Sequence, residues 1–402
     1  MHKKVFLSVL VVMIPVAFWV TGCASMGRSK TAMEPKVSMY LRTWPIPEAS
    51  RAGDSPYWNA DMIRGEYLTD IIIAFALLEK DDVSVPYIPE VKSGEFDLWE
   101  EVAKLKNKFP HLKVNVSVGG YAADGFSDMT FDPALRAKFA ANICTWLEEY
   151  NLDGMDVDWE YPVGPEWGSD IKVRPQDKQN YIALLRDLRS AFDALGEKTG
   201  KRYGLSTAVP ASGWFPKAND VVAASKIVDS LKLMSYDYYG GWSSTTGHNN
   251  NPYINPHDPA WGGWSTDQAL NEYLWAGVQP SKIVLGVPFY GKGWQGVKQG
   301  EYEGTPGLFQ PYKSLPFEQG TLSWSQITEF LKPGSGYTRH WDDMACSPYL
   351  YNGDIWISYC DPEQIKILTD YVRSNSLVGV FVWEYGHDMN AELLKVLAEN
   401  SQ

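Results

Sequence analysis

The feature of this sequence that most constrains its fold is the regular return of short apolar segments. Eight such segments, rich in Val, Ile and aromatic residues, are separated by longer amphipathic or polar stretches. Several are nearly continuous hydrophobic runs, which is typical of parallel strands covered on both faces. Eight strands that alternate with helices predict an α/β fold, a (β/α)8 or TIM barrel, with its functional residues at the C-terminal strand ends. The predicted strands are Val37–Thr43, Asp70–Leu78, Val114–Gly120, Asp153–Glu160, Tyr203–Val209, Leu231–Asp237, Ile283–Tyr290 and Val378–Glu384.

The segments between these runs supply the predicted helices. In Leu135–Tyr150 the apolar residues recur with a period close to 3.6, and the other segments behave similarly. Prolines stand near several of the starts, where a helix tolerates them. The predicted helices are Leu135–Tyr150, Gln176–Leu195, Ala218–Ser225, Asp267–Ala276 and Pro362–Arg373.

One interval interrupts the alternation of strands and helices. Residues 293–358 are rich in Gly, Trp, Tyr and Asp, show little helical periodicity and contain the turn sequence Asn352-Gly353. We therefore predict a small α+β insertion domain between the seventh strand and the last helix–strand unit, with residues 37–292 and 359–402 forming the barrel. Long barrel loops commonly build substrate clefts, so this domain is expected to form a wall of the site.

The first 36 residues are organised as a targeting segment. A basic start precedes the apolar run Val5–Val20, which is too short for a comfortable membrane span of roughly 20 residues. The tetrapeptide Val20–Cys23 resembles the lipobox of bacterial lipoproteins, which implies removal of residues 1–22, lipidation of Cys23 and a tether over residues 23–36. Ala24 then favours the outer membrane of the cell envelope by the sorting pattern of such proteins. The alternative is an ordinary secretory signal with an incidental cysteine.

The remaining cysteines and the histidines predict neither a metal nor another cofactor. Cys144 lies in a helical pattern and is expected to be a small buried hydrophobe. Cys346 and Cys360 flank a predicted hairpin. A three-residue loop would place them opposite each other, whereas a two-residue turn would point them to opposite faces, so a disulfide stays open. The six histidines are scattered, and no Cys/His spacing suits zinc.

Composition narrows the range of partners. The chain has 36 Lys+Arg against 49 Asp+Glu and a net charge of −13. This balance argues against nucleic-acid binding, because that binding depends on Lys and Arg side chains that neutralise the phosphates. Aromatic residues make up 14% of the chain, an excess that suits either a core or stacking on sugar rings. We expect the protein to act as a monomer.

The predicted strand Asp153–Glu160 carries the most informative pattern. Asp156, Asp158 and Glu160 stand at i, i+2 and i+4, so all three side chains point to one face of a strand. Like charges and burial both oppose ionisation, which predicts at least one raised pKa and a candidate general acid. A calcium loop starting at Asp156 would need Gly at its sixth position, where the chain has Tyr161. The spacing therefore favours catalysis.

The acidic strand and four further motifs resemble one enzyme family. The segment Asp153–Pro162 resembles the Asp-x-x-Asp-x-Asp-x-Glu signature of glycoside hydrolase family 18, the chitinases. The interval 293–358 is similar to the insertion domain of one subfamily. The resemblance implies a cofactor-independent barrel enzyme that cleaves β-1,4-linked N-acetylglucosamine chains, in chitin and chitooligosaccharides. The other motifs, in the family's order, are Ser117–Gly120, Met234–Asp237, Gly286–Gly291 and Val382–Glu384.

The resemblance also implies a retaining, substrate-assisted mechanism. Glu160 would protonate the glycosidic oxygen and later act as the base for water, while the 2-acetamido oxygen of the substrate attacks the anomeric carbon. Asp158 would orient the acetamido N–H and stabilise the developing positive charge. Asp156 would share a proton with Asp158 and let it turn. Tyr236 would hydrogen-bond the acetamido carbonyl, and Asp237 a neighbouring sugar hydroxyl.

Other substrate contacts are implied by position in or beside these motifs. Trp383 would form the floor under the cleaved sugar, and Ser117 would support the hydrogen bonds of Asp156. Two departures from common family residues, Tyr121 for Trp and Lys292 for Arg, affect subsites and leave the chemistry intact. Asp342 and Asp343 are expected in a solvated loop. The implied substrate-binding residues are Tyr40, Ser117, Gly120, Tyr121, Tyr161, Met234, Asp237, Trp242, Tyr290 and Trp383.

Three alternatives to a chitinase stay open at this stage. The first is an endo-β-N-acetylglucosaminidase acting on glycoproteins, an activity that usually lacks the insertion. The second is a hydrolase of peptidoglycan fragments. The third is a catalytically inactive sugar-binding lipoprotein, which the presence of Glu160 disfavours. Endo or exo action is not distinguished by the sequence.

Overall fold

Eight parallel strands close into a barrel in the computed structural model, which describes residues 35–46, 56–164, 170–260, 264–300 and 304–401. Strand β1 pairs with both β2 and β8, and every other barrel strand pairs with its sequence neighbours, so the sheet has no free edge. The predicted barrel fold is confirmed. The strands are β1 Lys36–Arg42, β2 Asp70–Leu78, β3 Lys113–Gly119, β4 Gly154–Asp158, β5 Gly204–Pro210, β6 Ser230–Met234, β7 Ile283–Pro288 and β8 Gly379–Trp383.

Several of the helices begin where a short polar side chain accepts hydrogen bonds from the first free N–H groups. Asp97 accepts hydrogen bonds from two backbone N–H groups of the first helix, and Asp132 and Asp361 cap helices that start with proline. The helices are α1 Leu98–Lys108, α2 Phe126–Phe131, α3 Pro133–Glu149, α4 Asp177–Thr199, α5 Trp214–Ala218, α6 Val221–Ile227, α7 Thr266–Ala276, α8 Trp324–Phe330, α9 Pro362–Ser374 and α10 Glu392–Asn400. Short 3-10 turns occupy Gly65–Tyr67, Pro280–Lys282 and Tyr385–His387, and short strands lie at Pro86–Tyr87, Lys92–Ser93 and Phe96–Asp97.

Alternation along the strands separates the barrel interior from the helix layer. In β4, Val157 lies in the main apolar core, and Trp159 just beyond the strand stacks on Phe126 with ring centroids 5.2 Å apart. Asp156 and Asp158 are buried on the opposite side of the same backbone. Two predicted strands ran too far, because β4 ends at Asp158, two residues before the predicted end, and β6 at Met234, three residues before it. The polar residues that follow these ends therefore stand beyond the strands.

A five-stranded antiparallel sheet follows β7 almost directly. Its first strand begins at Tyr290, two residues after β7 ends, and its core holds the buried rings of Trp294, Tyr349 and Trp356. In spatial order the strands are Thr321–Ser323, Tyr290–Gln295, Ile355–Ser358, Ser347–Tyr351 and Thr338–Asp342, with α8 alongside.

The loop of the hairpin in this sheet has four residues, one more than the longer of the two expected loops. Tyr351 pairs with Trp356, and the Asn352 side chain accepts hydrogen bonds from the N–H groups of Asp354 and Ile355. Cys346 and Cys360 are consequently not opposite each other, and both are free thiols, as is Cys144. The disulfide that the sequence left open does not form.

The N-terminal predictions fall outside these ranges. Residues 1–22, Cys23 and almost all of the predicted tether lie outside the described residues. Within the described ranges, no helix combines the length and the apolar character needed to cross a membrane.

The pairing of β4 with β5 provides a test of how tightly the barrel is packed. Gly154 and Gly204 are directly opposite each other in register. A Cβ on Gly154 would lie 2.4 Å from the Gly204 carbonyl oxygen, whereas a Cβ on Gly204 would have no contact shorter than 3.7 Å. We expect Gly154→Ala to lower the free energy of unfolding by about 1–3 kcal/mol, since overpacking forces backbone shifts. Gly204→Ala, the control, should change it by less than about 1 kcal/mol. Urea denaturation of both variants measures this, and equal effects would contradict the packing argument.

Candidate active site

The site is built on the C-terminal half of β4. In register, Asp156 faces Ser117 on β3 and Ser206 on β5, and Asp158 faces Gly119. Parallel strands place their C-terminal ends at one end of a barrel, so Glu160, two residues further on, stands at the mouth of the interior. The structure thus brings the three predicted acids together with residues of the neighbouring strands.

Asp156 is held by four hydrogen-bond donors from four strands. Its Oδ2 accepts hydrogen bonds from the Tyr40 hydroxyl at 2.6 Å and the Ser117 hydroxyl at 3.2 Å. Its Oδ1 accepts from the Ser206 hydroxyl at 2.5 Å and from Lys232 Nζ at 2.7 Å. The sequence implied Tyr40 and Ser117 in the site, but Ser206 and Lys232 were missed. The sequence did contain a signal for Lys232, because it is a charged residue inside an otherwise apolar strand.

Asp158 lies in a contrasting environment on the same strand. Within the described part of the chain, its buried Oδ1 has no hydrogen-bond partner. Burial raises the pKa of Asp158 well above its ordinary value, the charges of Glu160 and Asp156 add to the increase, and Lys232 opposes it. The sharing of a proton between Asp156 and Asp158 stays a prediction, and the described hydrogen bonds of Asp156 are those from the four donors.

Glu160 has the acidity expected of a general acid. Burial raises the pKa of Glu160 to about 7, a hydrogen bond with Tyr161 lowers it, and the charge of Asp237 raises it. The Tyr161 ring packs edge-on against Trp214 with centroids 5.1 Å apart. Glu160 can therefore carry a proton close to neutral pH.

The residues after β6 form the opposite side of the site. The Tyr236 ring lies 6.1 Å from the Tyr290 ring, and burial raises the pKa of Tyr236 so that its hydroxyl stays protonated. Asp237 has a left-handed backbone with φ 58°. Its Oδ1 accepts a hydrogen bond from the Tyr290 hydroxyl at 2.8 Å and lies 3.3 Å from Lys292 Nζ.

An aromatic stack forms the floor beside these polar groups. Trp383 and Phe75 stack with ring centroids 5.5 Å apart and an interplanar angle of 19°, and Trp44 continues the stack on Phe75 at 6.3 Å. The Tyr40 ring lies 5.5 Å from Trp383, and Met234 packs on the same cluster. Phe75 and Trp44 were not predicted. Phe75 lies in an apolar strand, where an aromatic residue is most often core, and Trp44 lies just beyond β1.

Two glycines allow the backbone after β3 to approach this floor. Gly120 has φ +96°, and a Cβ there would lie 2.8 Å from the Phe75 ring. Gly119 has φ +118°, and its Cβ would lie 2.0 Å from the Asp158 carbonyl oxygen. Only glycine fits both positions. Gly120 N–H also donates to the Asp158 carbonyl oxygen at 2.8 Å, which ties β3 to β4.

Several predicted positions lie at the rim or elsewhere. Tyr121 is 74% exposed and Trp242 is 65% exposed, with the Lys292 ammonium 5.4 Å from the Trp242 ring centroid. Asp342, expected in a solvated loop, is 1% exposed. The reason is a buried network in which His248 and Asn255 both bond its Oδ2, at 3.0 and 2.8 Å.

The raised pKa of Glu160 makes stability depend on pH. Between about pH 4.5, its ordinary pKa, and about 7, the folded state binds more protons at this group than the unfolded state does. The free energy of unfolding therefore falls as pH rises through this window. Because glutamine has no such proton, Glu160→Gln should stabilise the fold more at about pH 8 than at about pH 5. Urea denaturation at both pH values measures this, and equal stabilisation would contradict the raised pKa.

Known proteins share this architecture over most of the chain. Chitinase A1 of Niallia circulans is 36% identical over 327 residues, which cover 77% of this chain and 46% of the relative. The chain spans about half the length of the curated relatives it matches. A family 18 N-acetylglucosaminidase from Paenibacillus barengoltzii superposes with a TM-score of 0.77 at 32% identity, covering 91% of this chain and 99% of that one.

A second solved structure agrees with this result. Chitinase ChiA74 from Bacillus thuringiensis superposes with a TM-score of 0.83 at 29% identity, covering 92% of this chain and 70% of that one. The model of the family described as glycosyl hydrolases family 18 matches residues 36–388, from β1 to beyond β8. The match includes the whole barrel and the acidic strand β4, and the chain therefore belongs to glycosyl hydrolases family 18.

Proposed function

We propose that this protein is a chitinase that hydrolyses β-1,4-linked N-acetylglucosamine chains. The observation that carries the proposal is Glu160, a carboxyl group with a pKa of about 7 beside the buried Asp158 at the mouth of the barrel. Membership of family 18 and similarity to chitinases over most of the chain support the substrate class.

The proposed reaction is retaining and substrate-assisted. Glu160 gives its proton to the glycosidic oxygen while the acetamido oxygen of the sugar attacks the anomeric carbon, so that the C–O bond breaks and an oxazolinium ion forms. The Oδ1 of Asp158, which has no hydrogen-bond partner among the described residues, is available to accept the acetamido N–H. Glu160, now ionised, takes a proton from water, whose oxygen attacks the anomeric carbon from the face that the leaving group left. The bond between that carbon and the oxazolinium oxygen breaks, which restores the acetamido group.

The remaining contacts suit a neutral sugar. The Trp383–Phe75 stack offers an apolar surface to a pyranose ring. The Tyr236 hydroxyl, kept protonated by burial, can donate to the acetamido carbonyl. Asp237, with its side chain 44% exposed and its Oδ1 already bonded to Tyr290, can accept from a sugar hydroxyl.

A second candidate is release of single N-acetylglucosamine units. It is favoured by the P. barengoltzii N-acetylglucosaminidase, which this chain matches over nearly the full length of that protein. The two candidates share their chemistry and differ in the product. A defined hexamer distinguishes them, because an N-acetylglucosaminidase releases monomers from the start, whereas an endochitinase first releases mixed shorter oligomers. In either case the first product should be the β-anomer, and release of the α-anomer would exclude a retaining mechanism.

Chromogenic chitooligosaccharides test the enzymatic proposal. The wild-type protein should release the chromophore, and kcat/KM should decline above about pH 7 as Glu160 loses its proton. Glu160→Gln should still bind the oligosaccharide and lose roughly two to four orders of magnitude in rate, the usual contribution of general acid–base catalysis. Wild-type protein that binds but releases nothing would instead be a sugar-binding lipoprotein. A small effect of Glu160→Gln would mean that another group is the acid.

We further propose that Cys23 carries a lipid anchor in the cell envelope of a bacterium, on the strength of the Val-Thr-Gly-Cys sequence before residue 24. Labelled palmitate fed to cells expressing the full chain should be incorporated and the protein should sediment with outer membranes. Cys23→Ser should abolish both. A matched Cys144→Ser variant should abolish neither, since that thiol lies in α3. Membrane association that survives Cys23→Ser would exclude this anchor.

A further inference from the structure

A pocket near the N-terminal end of the barrel is lined mainly by cations. It lies between α4, α6 and the segments that lead into β5, β6 and β7, and its volume is about 500 Å³. The chain as a whole has a net charge of −13, so a pocket with five cations and one carboxylate stands out. The five residues that we call the cationic pocket are Arg186, Arg189, Arg202, Lys226 and Lys282, and the carboxylate is that of Asp229.

Most of this positive charge is not neutralised by carboxylates. Asp229 pairs with Arg202 and lies 3.8 Å from Arg189 Nη1, and Arg189 also pairs with Asp193 at 2.8 Å. Like charges that line one pocket repel one another, so an anionic partner would relieve an unfavourable interaction. Within the described ranges, the pocket cations that form no ion pair are Arg186, Lys226 and Lys282.

The helix dipole accounts for only part of this charge. Cations are favoured in the last turn of a helix, which is where Lys226 stands in α6. Arg186 and Arg189 lie in the middle of the 23-residue helix α4, and Arg202 lies beyond the end of that helix. The cationic pocket is therefore more than a set of helix ends.

The first residues of β1 lie at the same end of the barrel. Lys36 begins β1, and parallel strands all begin at one end of a barrel, opposite the mouth that holds Glu160. Lys282 directly precedes β7, and only β8 separates β7 from β1. The two strands therefore begin about 10 Å apart, at roughly 4.8 Å per strand. The cationic pocket lies beside the start of the barrel.

The sequence limits the distance between this end and the proposed anchor. Lys36 follows Cys23 by thirteen residues, and even a fully extended chain of that length spans at most about 45 Å. A lipid on Cys23 would therefore keep the cationic pocket near a bilayer and raise the local concentration of headgroups around it. Attraction between the pocket and anionic headgroups acts over about 10 Å.

We propose that the cationic pocket docks on the anionic headgroups of the bilayer that holds the Cys23 anchor. The inference rests on the proposed lipidation of Cys23 and adds a second contact with the same membrane. Docking at this end directs the mouth of the barrel away from the bilayer. The seven residues of β1 span roughly 20 Å, so the catalytic site stays clear of the headgroups and open to substrate in solution.

Two features favour a membrane surface over a small free anion. The cations stand on four separate segments of the chain around a pocket of about 500 Å³, which is much larger than one phosphate group. A dissolved anion must also be captured from solution, whereas the anchor holds the headgroups beside the pocket. The pocket then supplies the second of the two signals that stable membrane attachment requires.

Acetylation of lysines on lipid vesicles tests the docking. The full-length protein, purified from the cell envelope in detergent, is reconstituted into vesicles of phosphatidylcholine alone or with phosphatidylglycerol. Lys226 and Lys282 should react at least roughly fivefold more slowly on the anionic vesicles. Lys80, an exposed residue that follows β2 at the mouth end, should react equally on both. High salt should remove the protection, because it screens the attraction.

Removing two arginines should weaken the docking and leave the two reporter lysines in place. Each cation at an anionic surface contributes roughly a fivefold factor, so Arg186→Gln/Arg202→Gln should weaken docking roughly 25-fold and raise acetylation towards the rate on neutral vesicles. The matched control, Lys313→Gln/Lys332→Gln, removes two exposed charges from the region after β7 and should leave the protection unchanged. If the double variant fails to fold, the exposed Arg186→Gln alone should weaken docking roughly fivefold.

The outcomes separate the docking from the anchor and from the enzymatic activity. An unmodified Cys23 in the mass spectrum would reject the anchor and the docking that rests on it. An anchored protein whose Lys226 and Lys282 react equally on both kinds of vesicle would leave the anchor standing and overturn the docking. Equal protection by inorganic phosphate on neutral vesicles would also overturn it, in favour of a small soluble anion. Hydrolysis of chitooligosaccharides by the same preparation tests the proposed activity independently.

Discussion

The closure of the parallel sheet on itself is the constraint on which the rest of the structure depends. Because β1 pairs with both β2 and β8, each strand is flanked on two sides and its inner face is enclosed. A charged group placed there needs partners on other strands, since an unpaired buried charge is strongly unfavourable. The four donors to Asp156, drawn from β1, β3, β5 and β6, meet this requirement.

Within that enclosure, one strand gives two carboxyl groups opposite properties. Asp156 is surrounded by hydrogen-bond donors. Asp158 lies two residues closer to the mouth of the barrel, has an oxygen with no hydrogen-bond partner among the described residues, and has a raised pKa. Glu160, less enclosed again, has a pKa of about 7. The two aspartates thus have different surroundings on one strand, which is how identical side chains can take different chemical roles.

The sequence predicted the parts of this arrangement that depend on local periodicity. Apolar runs predicted the eight strands, alternation placed Asp156, Asp158 and Glu160 on one face, and the family motifs placed Tyr236 and Trp383 beside them. Contacts set by the stagger between strands were not predictable, which is why Ser206 and Lys232 were missed. The His248–Asp342 contact joins distant segments and escaped for the same reason. The hairpin register was missed because the Asn352 side chain, rather than the backbone alone, determines the turn.

Tyr290 belongs to two parts of the molecule at once. It is the first residue of the five-stranded sheet, and its hydroxyl binds Asp237. One residue gained or lost between Pro288 and Tyr290 would reverse the alternation of the strand and turn the phenol away from Asp237. The turn at Gly353 lies in open space, where changes of length leave that bond untouched. In evolutionary terms, the insertion can change length at turns such as that at Gly353, while the link from Pro288 to Tyr290 must keep a fixed number of residues.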